Sequence, residues 1–479
     1  MTQKIVFALS FIIFFTVSTA KSKDIHLPSL GNDYSDRFSA AEEKLLGETF
    51  MRQVRLSLPI SDDPEITSYL SHLGYRLIAH SNYHTRHFKF FMINDPSINA
   101  FAGPNGYIGV NAGLMLATQD ESEVASVLAH EIAHVTQRHL ERSFDSGEKL
   151  SIPTAAAIIT AIVLGSQANI NITEAAIFAT IAANYQSRLS YSRAHELEAD
   201  HIGIQTLAKA GFDTQSMPSF FEKLNQNRMG DAQIPEFLST HPVTVKRIAE
   251  SRNRASLYEF RPRESSFMYY LIKAKLRVTT SDNRAELAKR LAAELREGSY
   301  QNKAAQLYAY SLALLESDQA EAAYGKVEEL IKLDGEKIPY LILKANIEIE
   351  RNNVATGFSI FSEALSFSPG NPAISLHYAD ALLTNKQPNT AKQLLRAMND
   401  YQPTPLYYQM LAKAEGDSGN ASASHEMLAE YYLAYDQIPI AVNHLHQAVR
   451  DKNITSIDRQ RIENRIAEMR EIAILEKEF

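Results

Sequence analysis

The feature that most constrains the fold is a repeat in the C-terminal half of the 479-residue chain. Three segments open at Pro339, Pro372 and Pro405, so their starts lie 33 residues apart. Each segment holds two helical patterns, in which small residues that permit close helix packing recur: Ala345, Ala379 and Ala412 in the first helix, Ala364 and Ala397 in the second. One such helix pair is too small to bury its own apolar face. We therefore expect the units to stack into a curved solenoid with a concave binding surface.

A period near 34 residues with paired helices resembles the tetratricopeptide repeat. The helical pattern starts at about Glu264, and units outside the three segments align less well. We predict a tetratricopeptide-repeat domain over residues 264–479. The alternative is a helical bundle without a true repeat.

The first twenty residues have the features of an export signal. Lys4 gives a positive start, residues 6–17 are apolar, and Ser18 and Ala20 fit a small-residue cleavage pattern. Because the apolar run is shorter than the ~20 residues of a spanning helix, a cleaved signal peptide is favoured over a membrane anchor. Export of a chain without cysteine suits a bacterial periplasm.

Composition excludes two classes of site. The chain has no cysteine, which rules out disulfides and zinc–thiolate centres and leaves histidine as the softer metal ligand. Its formal net charge is −8 and no basic stripe is evident, so we expect no nucleic-acid partner.

Residues 21–263 combine helical patterns with two short strands. Helices are predicted over residues 39–56 and 63–81, the second capped by Asp63. The aromatic run at 87–93 and the run at 107–110 are predicted partner strands, joined by a turn-rich connection, and a helix follows at 121–142.

A strongly apolar stretch occupies residues 153–165, followed by a similar pattern at 174–184. Thirteen residues are too few for a bilayer span, so we predict a packed helical hairpin. Shallow contact with a membrane surface is the alternative.

The sequence HEIAH, residues 130–134, lies on the predicted helix at 121–142. Positions four apart lie on one helix face, so His130 and His134 are able to converge on one ion. Their neighbours are mostly apolar, and burying Glu131 without a partner would destabilise the fold by roughly several kcal/mol. A metal resolves this conflict, because it lowers the pKa of a water molecule towards ~7 and Glu131 is placed to remove the proton.

The missing ligand is expected downstream, in YSRAHELEAD at residues 191–200. Glu196 and Asp200 are again four residues apart. Glu196 is the predicted third ligand, and Asp200 is predicted to accept the second N–H of a ligand histidine. Glu198 is a competing candidate, but it points away from that face.

The two motifs together resemble the M48 family of zinc metallopeptidases. This resemblance implies a mainly α chain, with a zincin-like α+β peptidase domain over residues 21–263 followed by the α-solenoid. It implies one Zn²⁺ per chain held by His130, His134 and Glu196, with Glu131 as catalytic base and Asp200 supporting a ligand.

The same family has a further motif that matches THPVTVKRI at residues 240–248. There His241 is expected to approach the metal, and Arg247 belongs to the same motif. His241 either occupies the open metal position as a gate or stabilises the transition state. Its place before a proline predicts a loop.

An export signal, an M48 domain and C-terminal repeats together resemble periplasmic family members that act in outer-membrane assembly. This implies unfolded or stalled β-barrel proteins as substrates, with the repeats holding them or docking on the barrel-assembly machinery. The strand at 107–110 is predicted to be the edge along which an extended substrate pairs. The alternative is a protease-inactive chaperone or adaptor that binds through its repeats.

Overall fold

The structure is a computed structural model that describes residues 39–81, 87–143, 151–164, 192–229, 235–260, 263–398, 401–452 and 454–475. The expected signal peptide and the apolar pattern at 174–184 lie outside these ranges. Among the described residues, no helix combines the length and apolar character needed to cross a membrane.

The N-terminal part surrounds a small sheet with helices. Its strands are β1 (Lys89–Ile93), β2 (Ala100–Ala102) and β3 (Tyr107–Asn111), with a 3-10 turn at Pro104–Gly106. Its helices are α1 (Ala40–Ser57), α2 (Pro64–Ala79), α3 (Ala112–Ala117), α4 (Glu121–Thr136), α5 (His139–Ser143), α6 (Ile152–Leu164), α7 (Arg193–Ala210), α8 (Ser216–Met229), α9 (Phe237–Thr240) and α10 (Val245–Ala255). The predicted cap of α2 is confirmed, because the Asp63 side chain accepts from the Glu65 and Ile66 amides.

The sheet order corrects the predicted edge strand. β3 pairs in parallel with β1 on one side and antiparallel with β2 on the other, so it is the central strand. The prediction that residues 107–110 form the edge was therefore wrong. The turn-rich connection also contains β2, a strand that the sequence did not predict, because AFA is short and rich in alanine.

One side of β2 is free of strand pairing within the described sheet. The Gly103 amide donates to the Tyr107 carbonyl, and the Asn111 amide donates to the Asn99 carbonyl. Because hydrogen-bonded pairs alternate along an antiparallel ladder, the odd-numbered residues of β2 are those whose backbone groups bond to β3. The backbone groups of Ala100 and Ala102 consequently point to the opposite side. This edge lies beside α4, which carries the predicted metal ligands.

The predicted helix at 121–142 is broken. α4 ends at Thr136, and Arg138 adopts a left-handed conformation (φ 56°) before α5 begins at His139. This break redirects the chain so that the His139 ring packs against His134.

The apolar stretch at 153–165 forms helix α6, which packs on α1. Ala155, Ala156 and Ile159 are buried there, and Thr160 donates to Gln53 of α1 at 3.1 Å. The helix therefore has a protein partner along one face, although its predicted hairpin partner lies outside the described residues.

The C-terminal part consists of helices in antiparallel pairs, as the repeat predicts. They are α11 (Phe267–Thr279), α12 (Arg284–Glu297), α13 (Lys303–Leu315), α14 (Ala320–Asp334), α15 (Ile338–Glu350), α16 (Val354–Phe367), α17 (Pro372–Thr384), α18 (Pro388–Arg396), α19 (Pro405–Asp417), α20 (Ala421–Ala434), α21 (Ile438–Val449) and α22 (Ser456–Leu475). Pro339, Pro372 and Pro405 fall in the first turns of α15, α17 and α19, where a missing N–H costs nothing.

The recurring alanines explain the close packing at four of five positions. Ala345, Ala379 and Ala412 are buried at the eighth position of α15, α17 and α19, and Ala364 is buried in α16. Ala397 is exposed, so the prediction for this residue was wrong. The reason is that the buried positions in and just after α18 are Ala391, Leu395 and Met398, which follow helical intervals, and Ala397 lies off that face.

The two parts share helix α11. Tyr269, Ile272 and Leu276 belong to the apolar core of the N-terminal part, whereas Leu271, Ala274 and Val278 belong to that of the first repeats. Lys275, on the same helix, is buried and forms ion pairs with Asp63 and Glu65 of the N-terminal part. A cut at the predicted boundary, residue 264, would remove α11 from the N-terminal core.

Candidate metal centre

Helix α4 holds the HEIAH motif in the interior of the protein. The Asp120 side chain caps its N-terminus by accepting from the Glu123 amide at 2.9 Å. Every residue of α4 is buried, and His130, Glu131 and His134 are at most 1% exposed. Charged and polar side chains at such depth need partners, and the neighbouring helix α7 supplies them.

Helix α7 crosses α4 closely at the motif. Glu196, Asp200 and Gly203 are spaced at helical intervals, so they lie on one face of α7. A Cβ at Gly203 would stand 3.3 Å from the His130 backbone nitrogen, tighter than ordinary contact. The glycine thus allows α7 to approach near enough for its two carboxylates to reach the histidines of α4.

The structure brings the predicted ligands together. His130 Nε2 and His134 Nε2 are 3.0 Å apart, and the Glu196 carboxylate lies 3.6 Å from the first and 3.4 Å from the second. Zinc bonds of ~2.0–2.1 Å in a tetrahedron place the ligand atoms roughly 3.3–3.4 Å apart. The donor set and its spacing therefore fit one zinc-sized ion.

His241 completes a four-residue group with these ligands. It follows the short helix α9, as the predicted loop requires, and its amide donates to the Phe237 carbonyl. Its Nδ1 lies 3.4 Å from His130 Nε2 and 3.1 Å from Glu196 Oε1, and its ring stacks on Phe237. His241 Nδ1 stands where a fourth ligand would bind.

Glu131 faces the same group without being part of it. His241 Nε2 lies 3.5 Å from Glu131 Oε1, and the Ala102 amide of the free β2 edge is directed towards this carboxylate. Neither carboxylate oxygen forms a regular hydrogen bond within the described residues. Burial raises the pKa of Glu131. A buried carboxylate in this setting is suited to taking up a proton from a nearby donor.

Asp200 and Arg247 contact the predicted ligand residues from the side that faces away from the ligand group. Asp200 Oδ1 lies 3.0 Å from His130 Nδ1, the ring nitrogen that faces away from the ligand group. Arg247 forms a bidentate pair with Asp200 through two 2.8 Å bonds and also contacts Glu196 at 2.5 Å. Both predicted supporting residues therefore contact a ligand residue.

The electrostatics of the group follow from burial and hydrogen bonding. Burial disfavours the charged imidazole of His130, but the hydrogen bonds that this imidazole donates to Asp200 and Glu196 outweigh it and raise the pKa of His130 to about 9. Burial lowers the pKa of His134 well below its usual range. Burial would raise the pKa of Glu196, but the charge of His241 and the hydrogen bonds with His130 and His134 hold it well below its usual range. The imidazoles of His130 and His134 thus differ in how firmly they hold a proton.

Sequence reasoning missed His139 in this region. Its Nδ1 lies 2.9 Å from His134 Nδ1, and its Nε2 lies 3.1 Å from Glu198 Oε2. Glu198 points away from the ligand atoms, as predicted. The sequence does show a histidine five residues after His134, but only the helix break at Arg138 turns this histidine towards the site. His80 and His87, two further histidines of the N-terminal part, are exposed.

The chain is similar in sequence to known metallopeptidases. The profile of Peptidase family M48 matches residues 64–255, and a tetratricopeptide-repeat profile matches residues 348–414. The chain is 32% identical over 449 residues to the β-barrel assembly-enhancing protease of Escherichia coli, covering 93% of this chain and 91% of the relative. A putative β-barrel assembly-enhancing protease of Vibrio cholerae is 33% identical over 94% of this chain and 93% of the relative. Mitochondrial metalloendopeptidase OMA1 of Schizosaccharomyces pombe is 33% identical over 38% of this chain and 51% of that protein.

Proposed function

Because the chain belongs to the M48 family of metallopeptidases, we propose that it is a periplasmic zinc endopeptidase that acts in the assembly and quality control of outer-membrane β-barrel proteins. The observation that carries the chemistry is the convergence of His130, His134 and Glu196 within 3.6 Å of one another beside an uncommitted Glu131. Similarity to barrel-assembly proteases over nearly the whole chain supports the biological role.

Each residue of the site has a separate role in the proposed reaction. His130, His134 and Glu196 would hold the zinc, which when bound lowers the pKa of a water molecule towards ~7 and polarises a peptide carbonyl. Glu131 takes the proton from the attacking water and returns it to the leaving amine. Asp200 and Arg247 keep His130 and Glu196 oriented throughout.

The free edge of β2 is suited to holding the substrate. An extended peptide added there would bond to the backbone groups of Ala100 and Ala102, next to Glu131. Main-chain pairing of this kind requires an unfolded segment and depends little on the side chains of that segment. It therefore fits unfolded or stalled barrel proteins as substrates.

The segment before His241 competes for the same place. The Phe237 amide donates to the Ile98 carbonyl at 3.1 Å, just before β2 begins, and His241 Nδ1 stands at the fourth position. These contacts favour the gate over the transition-state donor. We expect His241→Ala to raise cleavage of an unfolded substrate several-fold; a loss of activity would instead support the donor role, and no change would contradict both.

The repeats are proposed to hold the substrate or to dock on the barrel-assembly machinery. A cavity of about 1000 Å³ lies between them and the peptidase part, lined by β1 residues such as Lys89 and by repeat residues such as Tyr401 and Tyr408. Its size supports capture of a polypeptide segment. A protease-inactive adaptor would need only this surface, and the intact ligand set argues against that alternative.

The decisive experiment compares wild type with Glu131→Gln on an unfolded β-barrel protein. We expect cleavage to fall about 100- to 10,000-fold because a general base is lost. Zinc content should remain that of wild type, since Glu131 is not a ligand. Glu42→Gln, at an exposed position of α1, is the control and should leave both quantities unchanged. Undiminished cleavage by Glu131→Gln would contradict the proposed mechanism.

A further inference from the structure

Residue His139 occupies a place behind the metal centre that the mechanism does not use. The turn at Arg138 brings it under His134, five residues earlier, and its ring is fully buried. The His195 ring stacks on it at 4.5 Å. A buried histidine with both ring nitrogens at hydrogen-bonding distance from charged or ligand groups is more than a packing residue.

The hydrogen-bond directions around His139 are fixed by the neighbouring ligand. His134 turns Nε2 towards His130 and Glu196, so binding of a metal there requires Nδ1 to carry the proton. His134 Nδ1–H then donates to His139 Nδ1 at 2.9 Å. His139 must in turn carry its proton on Nε2, where Glu198 Oε2 accepts it at 3.1 Å. Each step determines the tautomer of the next ring.

His130, the other proposed ligand histidine, is supported by a carboxylate without an intervening histidine. His130 Nδ1 faces Asp200 directly, and Asp200 is held by Arg247. Behind His134, the carboxylate is Glu198, and Arg142 holds it through a 3.0 Å bond. Both imidazoles are thus backed by a carboxylate–arginine pair, and His139 spans the greater distance on the His134 side.

We propose that His139 and Glu198 are positioning residues of the metal centre, which hold His134 in the tautomer and orientation that bind the ion. This inference rests on the proposed zinc site. Such outer partners of a ligand histidine typically change metal affinity about 10- to 100-fold when removed. Glu198 acts through His139 and keeps 29% of its side chain exposed, so its own effect is the smaller one.

The test is the zinc dissociation constant of the full chain, measured by competition with a chromophoric chelator near neutral pH. His139→Phe keeps the ring volume and the stacking on His195 but cannot accept a hydrogen bond. His139→Asn loses the ring but places an oxygen acceptor near the position of Nδ1. We expect His139→Phe to weaken zinc binding about 10- to 100-fold, with His139→Asn closer to wild type.

A purely structural role predicts the reverse order, because only His139→Phe preserves packing, and that order would overturn the proposal. Thermal melting of the metal-free proteins reports folding. If His139→Phe does not fold, Glu198→Ala carries the test at its partly exposed position, and it is expected to weaken zinc binding measurably relative to wild type. His201→Phe is the control: it lies on α7, contacts Gln205 and Arg254, and should bind zinc as wild type does.

The failure of this inference is distinct from failure of the proposed function. If wild type binds no zinc, the metal centre itself is wrong. If wild type binds zinc and His139→Phe or Glu198→Ala binds it equally well, only the positioning role is refuted.

Discussion

The metal centre and the repeats place their charged side chains in opposite ways. Around α4 and α7, Glu131, Glu196, Asp200 and Arg247 are all at most 3% exposed, and Arg247 pairs with both Glu196 and Asp200. In the repeats, ion pairs such as Arg284 with Glu316 keep about a third of each side chain exposed, and the buried residues are mostly apolar. The comparison teaches that the densest group of mutually dependent buried charges lies at this centre, whereas the repeats are held together mainly by apolar packing.

The difference has an energetic consequence. A buried ion that loses its partner retains its full desolvation cost, whereas an exposed pair contributes little because water screens it. In stacked repeats each unit contacts only its neighbours, so stability adds up from many similar interfaces. Single substitutions should therefore act strongly at the centre and weakly in the solenoid.

The largest effect is expected at Arg247. Arg247→Met leaves Asp200 and Glu196 buried without their shared cation, which should lower the unfolding free energy of the metal-free protein by about 3–5 kcal/mol. Zinc replaces part of the lost charge, so the deficit should shrink when metal is saturating. Urea unfolding with and without zinc measures both values.

Arg252→Met is the matched control for that experiment. Arg252 pairs with Glu222 on the surface, and its side chain is 56% exposed. Its loss should cost less than ~1 kcal/mol. Equal effects of the two substitutions would break the contrast between the centre and the surface.

Zinc affinity should depend on pH through His130. Since its pKa is raised to about 9 in the metal-free protein, zinc must displace a proton at neutral pH. The dissociation constant should fall about tenfold per pH unit as pH rises, and level off near that pKa. Chelator competition between about pH 6.5 and 8.5 measures this slope, and a flat profile would show that His130 is already neutral.

The smallest effect is expected in the repeats, where two alanines offer a matched pair. Ala379→Leu adds three carbons at a fully buried helix contact and should destabilise by about 1–3 kcal/mol. Ala397→Leu makes the same change at an exposed residue and should stay within about 0.5 kcal/mol. Thermal melting of both variants tests the difference, and similar shifts would mean that Ala397 is buried after all.

Much of this architecture could be predicted from local spacing. The four-residue intervals of His130 with His134 and of Glu196 with Asp200 determine which side chains share a helix face, and the proline period determines the repeat. These patterns depend on helix geometry alone, which the sequence carries directly.

The remaining features depend on how distant segments meet. The central position of β3 follows from a strand, β2, that has little propensity of its own and exists through its pairing. One signal did exist: residues 107–110 are apolar without alternation, a pattern more typical of a strand buried on both faces. For His139 the sequence offers only its spacing of five residues from His134, because the contact between them arises from a left-handed arginine that residue type does not predict.

The most direct test of the central claim is the zinc content per chain of purified full-length wild type and of Glu196→Ala, measured by elemental mass spectrometry after removal of loosely bound metal. We predict one zinc per wild-type chain and a large loss in Glu196→Ala, because the third ligand comes from a helix far along the chain. Wild type without zinc, or Glu196→Ala with a full complement, would contradict the proposed metal centre.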